Sequence, residues 1–119
     1  MKPSTEAQLH RSVADLFGRI LRPPTIWTTI PSGGGGKIRG AQLKAMGLKP
    51  GWPDLIVLHP GKYWTIVLGI ELKAGSSQSP EQKAVERQFL ECNASYDVCK
   101  SLDDVIYALQ VAGVPSFGK

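Results

Sequence analysis

Three charged side chains fall where the chain otherwise reads as core. Asp54 follows Pro53 at the mouth of an apolar run over residues 55–58, and Glu71 and Lys73 interrupt the end of a second run over 63–72. Valine and isoleucine in both runs predict buried strands, joined at His59-Pro60-Gly61-Lys62. Side chains on a strand alternate faces, so Glu71 and Lys73 share a side while Leu72 takes the other. If the runs pair as a hairpin, the start of the first lies beside the end of the second. Asp54, Glu71 and Lys73 then gather at one end of a sheet. Two carboxylates offer hard oxygen donors of the kind Mg2+ or Mn2+ takes. A cation held there polarises a phosphoryl oxygen and acidifies a bound water. The Lys73 ammonium can orient that water or stabilise charge developing at phosphorus. That chemistry is phosphodiester hydrolysis, with nucleic acid as the natural substrate. Taken singly, each charge is also an ordinary surface group, and Glu71 with Lys73 an ion pair of little weight.

The flanking stretches predict the elements that position these residues. Ser4 caps a helix running to about Arg22, where Pro23-Pro24 stops it. Leu9, Val13, Leu16, Phe17, Ile20 and Leu21 form its apolar face. Glu6 stands at the N-terminal end of that buried face, where the helix dipole favours an acid in any case. Residues 25–30 are β-branched and aromatic and predict a strand. The run from Pro31 through four glycines to Lys37 is not a phosphate-binding P-loop, because Pro31 stands in place of the first glycine and Ile38 follows the lysine. It reads as a flexible loop with a basic exit suited to a phosphate backbone, or as a plain linker. Residues 38–46 predict a short helix displaying Arg39 and Lys44 and closed by Gly47. Pro53 stiffens the backbone before Asp54.

After Lys73 a polar loop leads to Ser79-Pro80-Glu81-Gln82. This is a helix start with serine as N-cap, proline at the first position and Gln82 as capping-box partner. That helix is expected to reach about Asn93, with Ala84, Val85, Phe89 and Cys92 inward. Residues 96–99 predict a fourth strand. Ser101 caps a last helix to about Ala112, with Leu102, Val105, Ile106 and Leu109 inward and Gly113 and Pro115 closing it. Strands two and three suit antiparallel pairing, and the helix between strands three and four suits a parallel crossover. The expectation is an α/β fold with a mixed four-stranded sheet flanked by helices.

A chain of 119 residues with 42% hydrophobic and 20% charged residues is expected to form one domain across 1–119. Between Leu16 and Pro53 there is no acid, while six Lys and Arg residues carry +6; the remainder carries −2, within a net charge of +4. A one-sided basic segment is what backbone-phosphate binding needs, and it nominates Lys37, Arg39, Lys44 and Lys49 as nucleic-acid contacts. His10 and His59 lack zinc-type spacing. Cys92 and Cys99 have neither CxxC spacing nor histidine partners and are expected as reduced core residues. The N-terminus has no apolar leader stretch, and no apolar run approaches the roughly 20 residues of a membrane helix, so a cytoplasmic location is expected.

Pro53-Asp54 followed by Glu71-Leu72-Lys73 resembles the PD-(D/E)xK nuclease signature, and the element order resembles that superfamily's restriction-endonuclease-like αβββαβ core. With Gly51 two residues before Pro53, and Ser79 and Gln82 three residues apart after the site, the pattern is similar to the VRR-NUC domain, the stand-alone virus-type replication-repair nucleases. The likeness runs from Glu6 to the last helix. It implies Asp54, Glu71 and the Leu72 backbone carbonyl as metal ligands, Glu6 as a further acidic ligand, Lys73 as the residue orienting water, and Gln82 as a site residue. It further implies a Mg2+- or Mn2+-dependent DNA endonuclease selective for branched DNA, of Holliday-junction or flap type. Such an enzyme would act in replication, repair or recombination in a bacterial or phage-infected cell, commonly as a homodimer. The alternative is a nucleic-acid-binding module without turnover.

Overall fold

The computed structural model describes residues 5–31 and 36–118. Its elements are α1 (Glu6–Ile20), β1 (Ile26–Thr29), α2 (Gly36–Ala45), β2 (Leu55–Pro60), β3 (Thr65–Leu72), α3 (Pro80–Glu91), β4 (Ser95–Cys99) and α4 (Leu102–Ala112). The strands form one sheet in the order β1-β2-β3-β4. β1 with β2 and β2 with β3 are antiparallel, and β3 with β4 is parallel. This is the expected α/β architecture, a mixed four-stranded sheet flanked by helices. No helix among the described residues is long and apolar enough to cross a membrane.

Strand alternation divides the core into two layers. Leu55 and Val57 of β2, Leu68, Ile70 and Leu72 of β3, and Cys99 of β4 pack against the apolar faces of α1 and α4. On the other face, Ile56, Val67, Tyr96 and Val98 meet Val85 and Phe89 of α3. Glu71 and Lys73 have the parity of Val67 and therefore lie in the α3 layer.

Several boundaries shift for local reasons. Ser4 lies outside the described residues; the α1 cap is Thr5, whose hydroxyl accepts from the Gln8 amide while the Gln8 side chain returns to the Thr5 amide. The helix stops at Ile20 rather than Arg22, because Leu21 is already extended on the approach to Pro23-Pro24. The hairpin turn occupies residues 61–64, since β2 continues to Pro60 opposite Thr65 and the Gly61 amide donates to the Trp64 carbonyl. Cys92, expected in the core, is exposed at the end of α3; Cys99 is buried, and both are free thiols. The glycine run at 33–35 lies outside the described residues. Gly36 opens α2, which has no buried residue among those described.

Candidate active site

Register builds the centre of the site. Leu55 of β2 stands opposite Ile70 of β3. One step toward the sheet end, the same register sets Asp54 opposite Glu71, a separation at which facing side chains touch. Asp54 is held there from both sides. Its backbone carbonyl accepts from the Ile30 amide at 2.9 Å, and its Oδ2 accepts from the Leu72 amide at 2.7 Å. Pro53 before it is fully buried, and its ring packs over Gly69, where any side chain would collide with Pro53 and Phe89. Gly51 has φ +86°, and a Cβ there would run into the Glu81 carbonyl, so the loop carrying Asp54 can seat on the start of α3 only with glycine at this position.

Glu71 is almost fully buried, at 2% exposure, and is surrounded by donors. Gln82 donates from Nε2 to Glu71 Oε2 at 2.8 Å, the Tyr96 hydroxyl donates to Oε1 at 3.4 Å, and Lys73 Nζ stands 3.7 Å from Oε2. Burial first, and then the negative charge of Asp54, push the Glu71 carboxyl up to about 7, while the Lys73 ammonium pulls the other way. Burial and the nearby Glu71 charge likewise raise the Tyr96 phenol, which keeps it a hydrogen-bond donor. Lys73 is itself 8% exposed, and its backbone amide donates to the Cys99 carbonyl at 3.0 Å.

Two concavities meet at Asp54. The smaller, about 260 Å³, is lined by Glu6, Ala7, His10, Asp54 and Leu72. Glu6 is exposed rather than buried on the α1 face, and its Oε1 accepts from the Ser76 hydroxyl at 2.6 Å, which aims it at the cleft wall. The larger, about 570 Å³, runs from Asp54 and Gln82 past Trp52 to Lys37, Lys44 and Lys49. Lys37, Gly40, Ala41 and Lys44 are spaced to share one face of α2, a wall with two cations and two small residues between them. Arg39 is exposed on another side of α2, away from the cleft residues.

The structure thus brings Asp54, Glu71, Lys73, Gln82 and Leu72 together, with Glu6 on the adjoining wall. Sequence reasoning missed Tyr96, Ser76 and His10. Tyr96 had read only as a strand residue and Ser76 as loop; nothing in their neighbourhoods marks a partner 25 or 70 positions away. His10 lines the smaller cleft, where its Nε2 is 3.0 Å from the Thr29 hydroxyl.

The donor set fits a hard divalent cation. Among the described residues no three His, Cys, Asp or Glu side chains cluster as a metal cage. Two facing carboxylates remain, Glu71 being raised first by its burial and then by the charge of Asp54. A hard divalent cation can accept such a set, taking one or two carboxylates and leaving its other positions to water and phosphate oxygens.

No protein-family model matches the chain, and neither does any curated protein. Among solved structures the chain is similar to a VRR_NUC domain protein, with a TM-score of 0.67 and 26% identity over 94% of this chain and 90% of that one.

Proposed function

We propose, from the premise that this chain is a VRR-NUC domain of restriction-endonuclease-like fold, that it is a metal-dependent DNA endonuclease. The observation that carries the reading is Asp54 beside Glu71 where the β2–β3 register runs on past Leu55 and Ile70, each oriented by its own hydrogen bond, with the Lys73 ammonium 3.7 Å from Glu71. A Mg2+ or Mn2+ ion held by Asp54, Glu71 and the Leu72 carbonyl, with Glu6 adjoining, would polarise a phosphoryl oxygen and acidify a water. Asp54 is kept in place by the Leu72 amide. Gln82 and Tyr96 hold the Glu71 carboxylate against rotation. Lys73 orients the attacking water and stabilises negative charge as the phosphorus becomes five-coordinate. Lys37, Lys44 and Lys49 draw the DNA backbone along the larger cleft toward Asp54.

Branched DNA of junction or flap type is the proposed substrate, cut by a homodimer whose two-fold axis would present two such sites. The test is a cleavage panel of junction, flap, single-stranded and duplex DNA with Mg2+ and Mn2+. Cutting that is abolished by chelator and by a folded Asp54→Asn variant supports the reading. DNA binding without cutting under every condition supports the alternative, a binding module without turnover.

A further inference from the structure

Trp52 is a large aromatic side chain left 45% exposed two residues before Asp54. It lines the larger cleft with Lys37, Lys44, Lys49 and Gln82. Its backbone is fixed on both sides by Gly51 seated on the start of α3 and by buried Pro53 seated on Gly69. Its ring meets Phe89 at 5.2 Å and 73°, an edge-to-face contact that braces the indole. Phe89 in turn meets Tyr96 at 5.4 Å and 84°, and Tyr96 reaches Glu71. A rigid, partly open aromatic ring therefore sits in a cationic cleft at its acidic end.

Resting on the reading of this cleft as a DNA channel, we infer that Trp52 stacks on an unpaired nucleobase of a strand whose backbone lies along Lys37, Lys44 and Lys49. The three lysines attract the anionic backbone, and a flat apolar ring among them is complementary to a base face. Within a duplex both faces of a base are covered by neighbouring bases. Trp52 can gain contact only where a strand is single or a base is splayed. The residue would then favour strands unpaired at the cut site, whatever their sequence, because every base has such a face.

The full chain is titrated in chelator, so that nothing is cut, with a single strand carrying 2-aminopurine and with a duplex of the same sequence. Wild type is expected to quench the 2-aminopurine of the single strand. Trp52→Leu keeps an apolar group against Phe89 but has no flat face. It should lose the quench and about tenfold in single-strand affinity, with duplex affinity unchanged, and Trp52→Tyr should recover most of the loss. Equal losses on both substrates, or an undiminished quench, overturn the inference. Should Trp52→Leu fail to fold by circular dichroism, the emission of Trp52 is taken as the difference between wild type and Trp52→Phe. Single-stranded but not duplex DNA should shield it from acrylamide, and unchanged accessibility overturns the inference. Cleavage is scored separately. Trp52-dependent stacking in a protein that never cuts leaves this inference standing and removes the hydrolytic reading. Metal-dependent cutting, with single-strand binding indifferent to Trp52, does the reverse.

Discussion

Gln82 joins a helix cap to the centre of the site. Its Oε1 accepts from the Ser79 amide at 2.8 Å, and its Nε2 donates to Glu71 Oε2 at 2.8 Å. Capping partner and site residue are therefore one role, because the box that starts α3 also fixes which way the amide faces Glu71. Gln82→Ala should lower metal-dependent cleavage by about 10–100-fold, the usual cost of losing a group that orients a metal ligand. Gln82→Glu can still accept from Ser79 but turns a carboxylate toward Glu71. Cleavage should fall further in that variant while α3 stays capped. Equal activities in the two variants would contradict this account.

Asp54→Asn and Asp54→Ala should separate charge from architecture. The asparagine oxygen can still accept from the Leu72 amide, so that variant should melt close to wild type while losing cleavage. Alanine leaves the Leu72 amide without its partner and should cost about 1–3 kcal/mol as well. Thermal melts and single-turnover cleavage of the same preparations test the split.

Lys37 and Arg39 are two residues apart but on different sides of α2. Lys37→Ala should weaken DNA binding on all sequences alike and reduce the salt-dependence slope by about 1. Arg39→Ala should do less, since Arg39 is not a cleft residue. Affinities measured across a salt series decide it; an equal drop in slope for both would show that the strand also passes over the outer side of α2.

Metal-free stability should depend on Glu71. Burial and Asp54 raise its carboxyl from an ordinary 4.5 to about 7. The folded state then binds the proton more tightly than the unfolded chain. The stabilising contribution is fully present below about pH 4.5 and is lost as pH rises through about 7. Glu71→Gln should flatten that decline. Mn2+ should raise the melting temperature more at pH 8 than at pH 6, because the cation and the proton compete for the same carboxylate. Melting curves in chelator and in Mn2+ across this range would expose the opposite trend.

Gly51→Ala should be costlier than Gly75→Ala. Both glycines have positive φ, +86° and +93°, but a Cβ at Gly75 meets open space while one at Gly51 meets the Glu81 carbonyl. Gly75→Ala should cost about 1–2 kcal/mol for its backbone conformation. Gly51→Ala should exceed that and also lower activity, since relieving the clash moves the loop bearing Asp54 away from Gln82. Denaturant melts of both variants give the comparison.

The sequence alone determined whatever depends on neighbours a few positions away. Alternation along β3 placed Glu71 and Lys73 on one face, and they are an ion pair at 3.7 Å. Ser79 and Gln82 announced a capping box, and the observed hydrogen bonds form it. The hairpin followed from two apolar runs and a Pro-Gly turn, although its turn residues were displaced because inter-strand register, not composition, sets where pairing ends. Tertiary structure decided the rest. It exposed Cys92, turned Arg39 away from the cleft, set Ser76 against Glu6 and placed Trp52 on Phe89. Those outcomes depend on how helices settle on the sheet and on how loops close around them. Periodicity says which face of an element is apolar, but only packing between distant segments says what that face, and the polar side chains along its rim, will meet.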